Sequence, residues 1–212
     1  MARCGRGIAR TGTVAFGASM NRIEESGGAS ALDTIVLAFS ADPVERWLYP
    51  RAADYVRHFP AFVEAFAGPA LAEGTAWMLD DFSAVALWLP PGRQPQGDVI
   101  VAALTNSVAD HKHDDLLAVL EQMDAIHPTF RHWYLPWLGV DPARRGEGLG
   151  GRLLELCLHA VDAQRLPAYL ETPNPRTIPF YARRGFEVIG EARSGACPPV
   201  TCMLRPARAK VV

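Results

Sequence analysis

The residues best suited to chemistry fall in two short stretches of this 212-residue chain. The first, His132 to Gly151, reads HWYLPWLGVDPARRGEGLGG. Its apolar half is a strand, and its second half carries Arg144 and Arg145, then a glycine-rich loop that runs into a helical pattern. A strand that stops on such a loop and feeds a helix start is a ready-made anion site. The loop N–H groups and the positive end of the helix dipole point at the same place. Glycines without side chains let the backbone approach closely. The backbone from Arg145 through Gly146, Glu147, Gly148, Leu149, Gly150 and Gly151 would hold the anion, with Arg145 and Arg144 adding charge-assisted bonds. The second stretch, Ala168 to Phe186, supplies Glu171, Asn174 and Tyr181, a carboxylate, an amide and a phenol. Glu171 at a strand end is a candidate base, or a holder for a substrate ammonium. Tyr134 and His132, placed by period-two alternation on the strand face of Leu138 and Val140, are further candidates.

Three anions compete for the loop. Gly146-Glu147-Gly148-Leu149-Gly150-Gly151 satisfies G-x-G-x-x-G, with Glu171 at about the distance of a ribose-binding acid, which suggests a dinucleotide and a nicotinamide-dependent oxidoreductase. Against it, Asp141 to Arg145 separate the strand from the first glycine, and too little chain follows Glu171 to complete a doubly wound sheet. A phosphate-cradling loop of the Walker type fails because no lysine follows the glycines. The third reading takes the segment from Arg145 to Gly150 as R-x-x-G-x-G behind Leu138-Gly139-Val140-Asp141-Pro142.

In that form the sequence resembles the GNAT superfamily of acyl-CoA-dependent N-acetyltransferases. Asn174, Ile178, Phe180, Tyr181, Gly185 and Phe186 repeat the resemblance downstream, as N-x-x-x-I-x-F-Y-x-x-x-G-F. Ala38 to Pro43, Ala86-Leu87-Trp88, Leu170-Glu171-Thr172 and Thr201-Cys202-Met203 are similar to the puromycin N-acetyltransferase branch. The resemblance spans about residues 20–206, closely in the last third and loosely before it. It implies a central, mostly antiparallel sheet of six to seven strands, splayed at the acyl-CoA site and flanked by helices. It also implies acetyl-CoA as co-substrate and a small-molecule primary amine as acceptor, with direct attack in a ternary complex. The loop becomes the pyrophosphate grip, and Asn174 joins the cofactor site. Leu138, Gly139 and Val140 hold the pantetheine arm and present an N–H to the thioester carbonyl. Gly139 between two apolar residues fits a bulge or a close approach. Tyr181 matches the family's general acid, a phenol with an ordinary pKa of about 10 that can reprotonate a thiolate. A non-catalytic acyl-CoA-binding module would keep the same loop. No cysteine stands near the strand end in the sequence, so an acetyl-cysteine route is not expected.

Several elements must position these groups. Leu32, Ile35, Val36 and Phe39 mark a helix that Asp42-Pro43 ends. Val56, Phe59, Val63 and Phe66 mark a second, kinked or restarted at Pro60 and closed by Gly68-Pro69. Residues 75–79 and 84–89 form a hairpin, 90–97 a Pro/Gly-rich loop, and a helix with Leu116, Leu120 and Met123 ends at His127-Pro128. The strand of residues 133–140 follows, then the helix carrying Leu153, Leu156 and Cys157. A strand over 168–171, a short helix over 178–184 and strands near 186–189 and 200–204 complete a mixed α/β order.

Composition sets the bounds. A net charge of −2 argues against a nucleic-acid binder, and no apolar run reaches membrane-spanning length. Cys4, Cys157, Cys197 and Cys202 contain no CxxC pair, a reduced pattern that suits the cytoplasm. Asp110-His111-Lys112-His113-Asp114-Asp115 has metal-ligand residue types, but at a helix start it reads as a solvated acidic N-terminus, and no metal is expected. Residues 1–17, with Arg3, Arg6 and Arg10 and no acid before Glu24, read as an extension, either a leader or an over-long start ahead of Met20. Residues 18–206 are expected to form one domain, as a monomer or homodimer, with 207–212 a tail.

Overall fold

A computed structural model describes residues 20–208, so the 1–17 extension and most of the 207–212 tail lie outside the described residues. The chain order is β1 (Met20–Arg22), α1 (Gly28–Phe39), α2 (Pro43–Leu48), α3 (Ala52–Ala72), β2 (Ala76–Leu79), β3 (Ala84–Leu89), α4 (Gly97–Ser107), α5 (His113–Ile126), β4 (Trp133–Val140), α6 (Leu149–Ala163), β5 (Ala168–Thr172), α7 (Ile178–Ala182), β6 (Glu187–Ala192) and β7 (Val200–Arg205). The seven strands form one sheet in the order β1-β2-β3-β4-β5-β7-β6. Every pairing is antiparallel except β4 with β5. That one parallel contact joins strands linked by the α6 crossover, as parallel neighbours require.

Alternation along the strands feeds two cores. One face buries Val85, Leu87, Tyr134 and Trp137 with Ile35 of α1 and Phe59, Phe62 and Val63 of α3. The other buries Ala86, Trp88 and Leu135 with Leu153, Leu154 and Cys157 of α6. Arg205, 2% exposed, is neutralised by Asp162 of α6 through two bonds of 2.6 and 2.9 Å.

Four helix expectations need correction. Asp42-Pro43 begins a helix rather than only ending one: Asp42 Oδ1 accepts the Val44 N–H at 3.0 Å and Pro43 takes the first helical turn, where a missing N–H costs nothing. Pro60 does not restart α3, and Gly68-Pro69 does not close it. The buried face of Tyr55, Phe59, Phe62, Val63, Ala67 and Ala70 carries the helix past both prolines, so packing outweighs local propensity. Between the Pro/Gly loop and His127 there are two helices, α4 and α5, with only Ile100 and Leu104 buried in α4.

Candidate active site

The fork in the sheet positions everything else. Strands β4 and β5 pair only at Trp133↔Ala168 and Tyr134↔Tyr169. Beyond these, β4 continues to Val140 along β3, and β5 continues to Thr172 along β7. The facing edges of β4 and β5 therefore separate without a partner strand. A cleft of about 340 Å³ opens there, lined by Leu138, Gly139, Val140, Arg145, Glu171 and Tyr181 among others. Asn174 lines it too.

A bulge sets the faces of β4. Leu87 pairs with Trp137 but Leu89 with Tyr134, so β4 spends one residue more than β3 over this interval. Pro136, with no N–H to give the ladder, lies inside it. The extra residue reverses the alternation. Tyr134 lies in the α1/α3 core, whereas Leu138 and Val140 pack toward α6, which corrects the expectation that they share a face. Gly139 is not the bulge. A Cβ there would lie 2.9 Å from Ile35 and 3.0 Å from Ala38, so glycine lets α1 sit close against β4.

The glycine loop divides into two parts. Asp141 caps a single helical turn over residues 142–144, accepting the Ala143 N–H at 2.8 Å. Gly146 (φ +88°) and Gly148 (φ +77°) are left-handed, with no atom within 4 Å of where a Cβ would stand. These two leave the backbone bare and open in front of α6. Gly150 and Gly151 are glycines for packing. A Cβ on Gly150 would meet Val140 at 3.0 Å, and one on Gly151 would collide with Arg184 at 2.2 Å. Leu149 buries its side chain in the core. Arg145 donates to the Ala38 carbonyl at 2.7 Å, tying the loop to α1. Arg144 and Glu147 pair with each other at 2.7 Å on the surface. Asn174 accepts the Arg176 N–H at 3.1 Å, so its oxygen is engaged in an Asx turn at the cleft wall.

Tyr134 and Glu171 stand on the other side of the fork, bordering the cavity beside α3 and α5. Tyr134, 3% exposed, donates its hydroxyl to Glu171 Oε2. Burial and the Glu171 charge push the Tyr134 phenol well above its ordinary pKa, so it stays a donor. Glu171 borders the fork cleft, an apolar cavity that includes Phe62, Phe66, Leu120 and Trp137, and a third cleft beside α4 and α5. Tyr181 lines the fork cleft, and burial raises its pKa above the ordinary value, with Arg184 opposing and Asp42 reinforcing. His132 is not beside the fork: its ring faces His127.

Three acids or bases escaped the sequence reading. Asp42 lines the fork cleft, and burial pushes its carboxyl up to about 6. Glu45, 3% exposed in the wall of the apolar cavity, is pushed well above the carboxylate range by burial and by the Asp42 charge. His127, visible in sequence only as a helix end, lies 3.6 Å from Glu171. The Asp-Pro start signal was available for Asp42; nothing local marks the other two. The cysteines also need correction. Cys202 stands opposite Glu171 in the β5–β7 register and Cys197 lines the apolar cavity. Burial pushes both thiols up to about 11, which leaves them protonated and poor nucleophiles. The acidic run at the head of α5 is not merely solvated, since Asp115 accepts from Ser194 and from the Ala196 N–H at 3.1 and 2.9 Å. Among the described residues no group of three or more His, Cys, Asp or Glu is placed to hold a metal, and no helix is long and apolar enough to cross a membrane.

The described strands thus form a seven-stranded sheet forked at its one parallel pair, with a glycine loop feeding a helix at the fork. Residues 97–188 match the family model of the acetyltransferase (GNAT) domain. The chain is similar, at 25% identity over 203 residues, to an uncharacterized N-acetyltransferase of Schizosaccharomyces pombe, covering 87% of this chain and 81% of that protein. Among solved structures it is similar to a histone acetyltransferase HPA2 and related acetyltransferase from Corynebacterium glutamicum, with TM-score 0.65, 22% identity, and coverage of 92% of this chain and 99% of that one. It is likewise similar to arylalkylamine N-acetyltransferase 2 from Aedes aegypti, with TM-score 0.62, 14% identity, and coverage of 91% and 100%. At these identities the solved structures speak to the fold.

Proposed function

We propose that this protein transfers acetyl from acetyl-CoA to a primary amine of a small molecule, by direct attack in a ternary complex. The observation that carries the reading is the parting of β4 from β5 beside a loop whose Gly146 and Gly148 leave bare backbone at a helix start. That cradle fits a pyrophosphate, and the unpaired edge of β4 fits an amide-bearing arm. Acetyl-CoA supplies the activated acetyl group. The backbone from Arg145 to Gly151 holds its pyrophosphate, with Asn174 at the opposite wall, and Leu138 to Val140 bind its arm. An N–H of the same stretch stabilises the charge that builds on the thioester oxygen. Tyr181, kept protonated by burial, gives its proton to the departing thiolate. Glu171, with Tyr134 bonded to one oxygen, takes a proton from the incoming ammonium.

The apolar cavity behind Glu171, with Trp137 edge-on to Phe39 at 4.9 Å and to Phe62 at 5.9 Å, supports an acceptor with an apolar body. The similarity to an arylalkylamine acetyltransferase and the resemblance to the puromycin branch support the same class. A free-thiol release assay with acetyl-CoA against tryptamine, spermidine and a puromycin-type aminonucleoside tests the proposal. Release with at least one amine is expected. Acetyl-CoA binding without release for any amine would make the protein a binding module instead. Stabilisation by NADH and not by acetyl-CoA would return the loop to the dinucleotide reading.

A further inference from the structure

Behind Glu171 lies a connected set of buried polar groups that the transfer reaction described above does not use. Glu171 Oε1 is 3.6 Å from His127 Nδ1. His127 Nε2 is 3.0 Å from His132 Nε2, and His132 Nδ1 is 2.8 Å from the Phe130 carbonyl oxygen. The side chains of Glu171 and His127 are 9% and 14% exposed, and His132 is 8% exposed. Tyr169 and Tyr134 wall the set, with ring centroids 4.5 and 5.0 Å from that of His127. The His127 main chain is fixed where α5 ends, its N–H bonded to the Met123 and Asp124 carbonyls.

The partners decide which nitrogen carries each proton. A carbonyl oxygen only accepts, so His132 Nδ1 must be the N–H that donates to Phe130. Burial, with His127 adding to it, holds His132 below the ordinary imidazole pKa, so its Nε2 is a bare acceptor. The hydrogen between the two rings therefore belongs to His127 Nε2. A neutral His127 with hydrogen on Nε2 has its lone pair on Nδ1, the atom that faces Glu171. His132 thus selects the tautomer of His127 that can take a proton from the carboxyl.

We infer that His127 is the proton outlet of the transfer reaction, receiving through Glu171 the proton that the acceptor ammonium loses, with His132 as the residue that orients it. This rests on the acetyltransferase reading. The ammonium gives one proton to the Glu171 carboxylate, and Glu171 passes it to His127 Nδ1. The imidazolium keeps its Nε2–H bond to His132 and discharges to water. The amine lone pair forms the C–N bond and the C–S bond breaks. The second nitrogen proton replaces the one that Tyr181 gives to the thiolate, so one proton leaves per turnover. An exit exists: His127 borders a cleft of about 400 Å³ whose lining includes the exposed Gln94, Val101 and Asp124. The groups that face His127 are Glu171 and Tyr169 from β5, Tyr134 from β4, His132 just before β4, and Asp124 from α5 in the wall of the same cleft. Both histidines act through Glu171 and are positioning residues.

The test is thiol release with acetyl-CoA and the fastest amine of the panel above. His127→Ala should lower kcat by about 100-fold, the scale of a lost proton-transfer group, with the KM for acetyl-CoA unchanged. Added imidazole should restore part of that rate by entering the space left beside the cleft. His127→Gln fills the space, so it should be about as slow and imidazole should not rescue it. His132→Phe removes the acceptor for His127 Nε2–H and should lower kcat about 10-fold, again without affecting the KM for acetyl-CoA. Activity of His127→Gln within twofold of the unaltered protein would overturn the inference, as would an alanine variant that is folded, slow and indifferent to imidazole. If His127→Ala fails to fold, the glutamine variant alone decides. No release by the unaltered protein with any amine would overturn the acetyltransferase reading itself, and this inference with it.

Discussion

The two sides of the fork are built on opposite principles. On the α6 side, the loop exposes bare backbone: Gly146 and Gly148 have open space around them, and Arg145 is exposed. Under the proposed function its binding power would come from N–H groups whose direction is fixed by left-handed turns. On the α5 side, the candidates are buried side chains, with Tyr134, Glu171, His127 and His132 in one connected set. Backbone recognition needs only a short local pattern and tolerates exposure. Side-chain proton chemistry needs groups from β4, β5 and the end of α5 brought together and shielded from water. The first kind of site is written in one segment, and the second is assembled by the fold.

The sharpest way to test this division is to change each side and see which constant moves. Tyr181→Phe should cost the most, lowering kcat about 100-fold or more while leaving the KM for acetyl-CoA within a fewfold, measured by thiol release across pH. An unchanged rate at every pH would remove Tyr181 as the acid. Gly148→Val forces a β-branched residue into a left-handed conformation, at a cost of about 1–2 kcal/mol. It should weaken acetyl-CoA about 10-fold in calorimetric titration, with the amine KM little changed. Gly139→Val has its cost in packing against Ile35 and Ala38, so it should show first as a lowered Tm.

The acids that line the fork and the cavity behind it give a pH signature. Asp42 has its carboxyl raised from 3.8 to about 6, so the folded state holds the proton more tightly than the unfolded chain does. The stability it contributes is complete below about pH 4 and is lost as the pH rises through about 6. Asp42→Asn keeps an N-cap oxygen and removes the charge. Its Tm should match that of the unaltered protein near pH 4 and exceed it near pH 7.5, read by thermal melts in matched buffers. A constant difference between the two proteins would contradict the raised value. The smallest effect is expected at Arg144→Ala. Its pair with Glu147 is exposed on both sides, 40% and 46%, so the Tm in a thermal melt should be unchanged by the substitution.

What could be read from the sequence follows the same division. The strand–loop–helix stretch and the Asn174-to-Phe186 segment carry their geometry in consecutive residues, and the forked, mostly antiparallel sheet is what the family resemblance of those segments implies. The α3 prolines misled because propensity is local, while Phe59 and Phe62 hold that helix from the core. A period-two count misplaces Tyr134 because an extra residue near Pro136 breaks the alternation. Asp42-Pro43 reads along the chain as a stop after Phe39, although the same pair suits a helix start. His127 gives no signal along the chain, because its partners lie on other elements and only packing brings them together. Glu45 likewise looks like an ordinary surface acid of a short helix until its burial is seen.

The claim that holds both sides together is that acetyl-CoA lies in the fork between β4 and β5. Amide hydrogen exchange with saturating acetyl-CoA, compared with the free protein, measures it directly. Protection is expected over Leu138–Val140 and Arg145–Gly151, with NADH giving none. Protection by NADH at these amides, or by acetyl-CoA only elsewhere, would contradict the account.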